Sequence, residues 1–224
     1  VAFSGAGIST ESGIPDFRSR GGLWSRFDPM QYGTLGAFRR SPARVWEMLA
    51  ELLAKVDAAP NRGHRAMAAM ERMGRLQGII TQNIDGLHQK AGSRKVVEYH
   101  GSLATFSCPA CGSSSDMEAV LAVEPPPECR CGQILKPDVV FFDEAIPRRT
   151  LEETAELLEN ADVLIVAGTS CQVVPASLIP LSCKQQGAAV IEINREPVLG
   201  GLADISLAGS FARTMDLLVR FLDG

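Results

Sequence analysis

An amide, a carboxylate and an imidazole fall close together in this chain: the run Thr81-Gln82-Asn83-Ile84-Asp85 is followed, fifteen residues after Asp85, by His100-Gly101. These are the groups needed to orient a polar substrate and move a proton on a sugar or amide. Two glycine-bearing turns accompany them, Gly5-Ala6-Gly7-Ile8-Ser9 and Gly168-Thr169-Ser170. Such turns leave backbone N–H groups free to hold phosphate. Together these residues describe an enzyme that uses a dinucleotide as a reagent.

A second chemistry sits in the cysteines. Cys108 and Cys111 form a C-x-x-C pair, and seventeen residues later Cys129 and Cys131 form a C-x-C pair. Four thiolates in tight turns suit a tetrahedral zinc ion with Zn–S bonds of about 2.3 Å. All four positions would be filled by protein, so the metal is expected to be structural. Two disulfides are the alternative, disfavoured for close pairs in a chain that otherwise reads as intracellular. Cys171 and Cys183 stand apart in apolar surroundings.

Of the three histidines, His64 and His88 lie in helical surroundings, where an imidazole is more often packed or capping than catalytic. His100 follows an apolar run and precedes a glycine that keeps its ring accessible, which makes it the better base. Hydride transfer is disfavoured: the third glycine of the dehydrogenase fingerprint would fall at position 10, where this chain has Thr10.

With 224 residues the chain can fill one sizeable core and carry a small appended module. Hydrophobic residues make up 46% and charged residues 21%, and no apolar run approaches the roughly 20 residues of a membrane span, so no membrane contact is expected. A net charge of −4 argues against direct nucleic-acid binding and is compatible with lysine-bearing partners. The sequence opens on Val1 without an initiator Met or a basic leader, so some native N-terminus is expected to be missing, and the expected location is the cytoplasm.

The elements that position these groups alternate between strand and helix. Val1 to Ser4 reads as a buried strand entering the first glycine turn, and Ile8-Ser9-Thr10-Glu11 suits a helix start. Gly13 to Trp24 is rich in breakers and reads as a mobile segment wrapped over a ligand. Helical spacing recurs from Pro42 to Val56 and from Arg65 to Met73. Leu76–Ile80 and Lys95–Tyr99 read as strands ending at the two polar signatures, the edge where doubly wound sheets bind ligands. Residues 101–136 shift to Cys, Pro, Ser and Gly with little periodicity, as in a metal-stapled module. Then come a strand over Val139–Phe142, a helix opened by a capping box at Thr150-Leu151-Glu152-Glu153, a strand over Val163–Ala167, a helix over Ala176–Gln186, a strand over Ala188–Ile193 ending at Asn194, and a closing helix over Ala212–Leu222. There is no internal repeat.

Taken in order, Gly5-Ala6-Gly7-Ile8-Ser9, Gly13-Ile14-Pro15-Asp16-Phe17-Arg18, Thr81-Gln82-Asn83-Ile84-Asp85, His100-Gly101, the cysteine quartet, Val139-Val140-Phe141-Phe142 and Gly168-Thr169-Ser170 resemble a sirtuin of the bacterial or archaeal type. The resemblance runs through nearly the whole chain. It implies an α/β fold: a Rossmann-like doubly wound parallel sheet (1–20, 64–100 and 137–224) with a smaller inserted domain (21–63 and 101–136) of a helical module and a zinc ribbon. It also implies an NAD-dependent protein-lysine deacylase with NAD as co-substrate and a structural zinc. In that chemistry the acyl oxygen of the substrate attacks the anomeric carbon of the nicotinamide ribose. His100 then deprotonates a ribose hydroxyl, and the acyl group ends on ADP-ribose.

By the same resemblance Asn83 and Asp85 join His100 in catalysis and shape the nicotinamide and ribose pocket with Gln82. Gly5, Ala6, Gly7, Asp16, Phe17 and Arg18 belong to the cofactor turn and loop. Ser9, Gly168, Thr169, Ser170, Asn194 and Ala212 are expected at the phosphates or the adenosine half. Phe17, Val140, Phe141 and Phe142 are expected at the acyl-lysine peptide, with the strand around Val140 pairing its backbone with it. The partner is an acyl-lysine protein or peptide, and the protein is expected to be monomeric.

Two local features bear on specificity. Sirtuins that prefer acidic acyl groups carry a Tyr and an Arg on the helix lining the acyl channel; the stretch Trp46-Glu47-Met48-Leu49-Ala50-Glu51-Leu52-Leu53 has neither, which implies a neutral acyl group. Where the family usually has glycine after Val-Val-Phe-Phe, this chain has Asp143. Its side chain could crowd the peptide, its charge could favour basic neighbours of the acyl-lysine, or it could be a solvated turn carboxylate. The rival activities are mono-ADP-ribosyl transfer or NAD hydrolysis in the same pocket, and non-catalytic NAD binding.

Overall fold

The structure, a computed structural model, describes residues 1–55 and 57–223. Val56, where the first long helix was expected to end, and Gly224 lie outside the described residues.

Six strands form one parallel sheet: β1 (Ala2–Ser4), β2 (Ile79–Thr81), β3 (Val96–Glu98), β7 (Val163–Ala167), β8 (Ala189–Asn194) and β9 (Ile205–Ala208), in the spatial order β3-β2-β1-β7-β8-β9. The chain builds outward from β1 to β3, then returns to the other side of β1 and builds out to β9. Ligands bind at such a reversal, outside the carboxyl ends of the two central strands, here β1 and β7.

Period-two alternation sorts the apolar residues onto two faces. Phe3, Ile80, Val97, Leu164 and Val166 face one way and meet α7 (Arg148–Glu159) and α8 (Ile179–Gln185) through Leu157, Leu158, Ile179 and Cys183. Ala2, Ile79, Ile165, Ala167 and Ile193 face the other way, against Met67 and Met70 of α4 (Arg62–Arg72) and Phe211 and Met215 of α9 (Phe211–Asp223). Because helices cover both faces, the central strands read as unbroken apolar runs.

A third core lies apart from the sheet. Helices α1 (Pro29–Tyr32), α2 (Leu35–Arg40) and α3 (Pro42–Leu53) pack on a three-stranded antiparallel sheet ordered β5-β4-β6, made of β4 (Gly101–Ser107), β5 (Ser114–Asp116) and β6 (Lys136–Val139). Trp46 joins the two parts: its ring stacks 5.7 Å from Phe106, and its indole N–H donates to Leu135 O at 2.9 Å. Truncating Trp46 to alanine would open both halves at about 3–5 kcal/mol.

Several expectations change. The helix expected from Ile8 is a 3-10 helix over Ala6–Ser12, closed by Gly13 in the left-handed region at φ 85°. Thr150 caps nothing: α7 starts two residues earlier, at Arg148, after Pro147 at φ −57°, which is already set for a helix. The strand expected over Val139–Phe142 is β6, and its ladder ends at Val139. The segment between 101 and 136 holds two strands and the short helix α6 (Met117–Leu121); a register shift between Gly101 and Phe106 breaks the alternation that would have revealed β4. Strand β9, exposed at every residue, and the short helices α1 and α2 gave no signal strong enough to read.

Candidate active site

The carboxyl ends of β1 and β7 open into a cavity of about 590 Å³ that extends to the α3 face and the segment after β6. Gly5, Ala6, Gly7, Asp16, Phe17 and Arg18 border it from one side, Gln82, Asn83 and His100 from the floor, Gly168, Thr169, Ser170 and Asn194 from the β7 and β8 ends, and Val140, Phe141 and Phe142 from the opposite wall. Ser9, Asp85 and Ala212 do not line the cavity and stand behind it.

The two glycine turns interlock. Gly7 N–H donates to Gly168 O at 2.8 Å and Gly5 N–H to Ala167 O at 3.0 Å. A Cβ on Gly168, at φ 58°, would lie 2.4 Å from the Ile8 nitrogen, and one on Gly7 would lie 2.8 Å from Gly168 O. These glycines are therefore required by turn-to-turn contact. The amides of Gly5 and Gly7 are already engaged, contrary to the expectation that the turn leaves them free for phosphate.

Asn194 fixes the second turn: its side chain accepts from Thr169 N–H and donates to Thr169 O, both at 3.1 Å, and donates to Glu192 Oε1 at 2.8 Å. Glu192 is fully buried inside β8, and its carboxylate also accepts from Val198 N–H at 2.6 Å and Ser206 Oγ at 3.2 Å. The one sequence signal for this organising residue is an acid inside the apolar run Ala188–Ile193.

Thr81 brings β1 and the polar run together. Its Oγ1 accepts from Ser4 Oγ at 2.9 Å and from Asn83 N–H at 3.1 Å, and Ser4 Oγ also meets His88 Nε2 at 3.0 Å. Asn83 donates through Nδ2 to Ser9 Oγ at 3.2 Å, and Ser9 donates to Asp85 Oδ2 at 2.7 Å. Asp85 Oδ1 accepts from Leu87 N–H at 2.9 Å, which opens the short helix α5 (Leu87–Lys90). Asn83 Oδ1 is buried and meets no donor among the described residues. An enclosed acceptor at a cavity wall fits a ligand that supplies an N–H there.

His100 Nδ1 lies 3.3 Å from Gln82 O. A carbonyl oxygen can only accept, so Nδ1 carries the hydrogen and Nε2 keeps its lone pair. Burial pushes the ring's pKa below its usual 6.5, opposed in part by that carbonyl, so the imidazole is neutral at pH 7. Gly101, at φ 71°, follows because a Cβ there would lie 2.0 Å from Asp138 O of β6. The other two histidines are packed, as expected. His64 Nδ1 accepts from Asn61 N–H at 3.4 Å within the α4 capping box, and its ring lies 5.0 Å from His88.

The four cysteines of the quartet are free thiols whose sulfurs all lie within 4.8 Å of one another, with Cys108–Cys131 at 3.5 Å and Cys111–Cys129 at 3.6 Å. Four bonds of about 2.3 Å to one tetrahedral ion would set the sulfurs about 3.8 Å apart. Gly112 and Gly132, at φ 73° and 84°, close the two turns that present them. The quartet fits a zinc ion with no open position for a substrate.

The Sir2 family model matches residues 5–175. The chain belongs to the Sir2 family. Its relatives include the NAD-dependent protein deacylase 1 of Archaeoglobus fulgidus, 47% identical over 98% of this chain and 91% of the relative, and the NAD-dependent protein deacylase of Aeropyrum pernix, 49% identical over 92% and 85%. Among solved structures, a Sir2 homologue in complex with NAD superposes with a TM-score of 0.92 at 46% identity, covering 100% of this chain and 88% of that one. A mutant homologue carrying 2′-O-acetyl-ADP-ribose superposes with a TM-score of 0.93 at 45% identity, covering 99% and 90%.

This Sir2 chain lines its cavity with residues of the stretch 46–53 that the resemblance put at the acyl channel, and with others that the sequence did not point to. Met48, Leu49 and Leu52 of α3 form an apolar side, and Trp24 and Val174 add more apolar surface. The helical spacing of α3 was visible, but which face would meet a ligand was not. Among the described residues no helix is long and apolar enough to cross a membrane.

Proposed function

We propose that the protein is an NAD-dependent protein-lysine deacylase that moves the acyl group to ADP-ribose and releases nicotinamide. The observation that carries this is His100, its Nδ1 turned to Gln82 O, in a cavity lined also by two glycine turns and by Val140–Phe142. Bound NAD supplies an anomeric carbon whose bond to nicotinamide gives way to the acyl oxygen of the substrate. His100 Nε2 takes the proton of a ribose hydroxyl, whose oxygen then bonds to the acyl carbon; water adds as the C–N bond breaks, so that the free lysine amine leaves and the acyl group stays on ADP-ribose. Asn83 offers its amide to the nicotinamide end, and Asp85 acts through Ser9 to hold Asn83. The turns at Gly5–Gly7 and Gly168–Ser170, with Asn194, receive the phosphates and the adenosine half, and Ala212 N–H steadies Glu11 beside them.

The acyl-lysine enters between α3 and the segment Val140–Phe142. Met48, Leu49 and Leu52 favour a neutral acyl group, since a carboxylate would meet no cation on that face. Zinc serves the ribbon alone. We divide the chain into a sheet domain of 1–20, 64–100 and 137–224 and a small domain of 21–63 and 101–136, supported by the separate core around Trp46. The reading extends to a monomer acting in the cytoplasm, without membrane or nucleic-acid contact, in keeping with the net charge of −4.

Incubation with NAD and matched acetyl- and succinyl-lysine peptides tests it. O-acetyl-ADP-ribose should form in amounts equal to the nicotinamide released, with acetyl removed faster. His100→Ala should abolish turnover while NAD still binds by calorimetry. Nicotinamide release without acyl transfer would overturn the reading in favour of NAD hydrolysis or ADP-ribosyl transfer.

A further inference from the structure

Asp143 follows the segment Val140–Phe142 at φ 62°, the left-handed region that favours glycine. Its carboxylate does not bond locally. Oδ1 accepts from Leu35 N–H at 2.8 Å and Oδ2 from Gly36 N–H at 3.4 Å, across more than a hundred residues of sequence. Leu35 N–H is shared with Phe142 O at 3.0 Å, and Phe142 N–H donates to Gly33 O at 2.9 Å. On the other side Val140 N–H donates to His100 O at 2.8 Å. The wall is thus fastened at both ends, to the residue that carries the base and to the first turn of α2. Gly36 permits the approach, because a Cβ there would lie 3.2 Å from Asp143 Oδ2.

We propose that Asp143 is a positioning residue that ties the segment Val140–Phe142 to the start of α2 and so holds the peptide-receiving wall of the cleft in place. This rests on the deacylase reading for its consequence and on the hydrogen bonds alone for the tie. Both carboxylate oxygens are engaged by backbone amides, so the role that the hydrogen bonds assign to this side chain is to steady the wall. A left-handed Asn, whose amide oxygen also accepts from an N–H, can replace it, and Gly or Ala cannot.

Steady-state kinetics on Asp143→Ala, Asp143→Gly and Asp143→Asn test the proposal. Ala and Gly should raise KM for an acetyl-lysine peptide at least fivefold, with kcat and KM for NAD within twofold, equally for peptides with Lys or Glu beside the acetyl-lysine. Asn should return KM to within twofold of the parent. Independently, amide hydrogen exchange over residues 33–37 should speed up at least tenfold in the Ala variant and less in the Asn variant. Unchanged peptide KM in Ala and Gly, an equal rise in KM for NAD, or unchanged exchange over 33–37 would overturn the proposal. If the parent forms no O-acetyl-ADP-ribose, the deacylase reading fails while the exchange experiment still decides the tie.

Discussion

The Ser9 hydroxyl donates to Asp85 Oδ2 at 2.7 Å while accepting from Asn83 Nδ2 at 3.2 Å, so a carboxylate outside the cavity controls an amide that lines it. Ser9 sits in the 3-10 turn after β1 and Asp85 just after β2, so this relay also fastens two neighbouring strand ends.

Removing the hydroxyl should therefore loosen Asn83 without touching the cavity surface. Ser9→Ala is expected to lower kcat/KM for NAD at least tenfold, about 1.4 kcal/mol of transition-state stabilisation. Peptide KM should change little, because the far wall is held by other contacts. Nicotinamide release measured across NAD concentrations checks this, and an unaltered NAD dependence would rule out the relay.

The buried pair His64 and His88 gives the fold a pH limit. Burial lowers the pKa of His88 to about 3, helped by its neighbour His64, and that of His64 to about 4, opposed by the Asp85 charge. Both lie below the ordinary 6.5, so the unfolded chain takes up protons that the folded chain refuses, and stability falls as the pH drops below 6.5. The loss is about 1.4 kcal/mol per pH unit for one imidazole, or about 2 kcal/mol between pH 6.5 and 5. Urea unfolding at pH 7, 6 and 5 measures it. Equal stability at all three values would mean that these rings are protonated without penalty.

Much of this arrangement could be read from sequence because its signals are local. The central strands end at Ser4, Thr81 and Ala167, and the polar signatures follow directly, so apolar runs alone put Gln82, Asn83 and Gly168 on one sheet edge. The cysteine spacing likewise encodes its own turns. What stayed hidden depends on contacts between distant segments. Gly7 meets Gly168, Trp46 meets Leu135, and Asp143 meets Leu35, and nothing near any of these residues announces its partner. The same limit explains the misplaced start of α7: the Thr150 pattern is a valid local signal, overridden by Pro147 three residues ahead of it.

Zinc should hold the third core together and leave the proton chemistry untouched. Metal analysis is expected to find one zinc per chain, and Cys129→Ser to lose it. The ribbon turns are then closed by backbone bonds alone, Cys108 N–H to Ser113 O and Gly112 N–H to Cys108 O in one and Cys129 N–H to Gln133 O and Gly132 N–H to Cys129 O in the other. A loss of about 2 kcal/mol or more would lower the melting midpoint by about 4–8 °C in a chain of this size. A chelator should reproduce that drop and added zinc reverse it; a variant that melts like the parent would show that the quartet does not carry the fold.

Leu52 offers the sharpest test of acyl preference, because it lines the cavity yet is only half-buried, so a longer side chain can be accommodated. Leu52→Arg places a cation on the apolar side formed by Met48 and Leu49. An acidic acyl group would then gain a partner in a partly desolvated site, while an acetyl group would lose apolar contact. The ratio of kcat/KM for succinyl- over acetyl-lysine peptide is expected to rise at least tenfold, about 1.4 kcal/mol. A ratio that stays at the parent value, in a variant whose KM for NAD is unchanged, would place the acyl group away from α3 and remove the basis for expecting a neutral substrate.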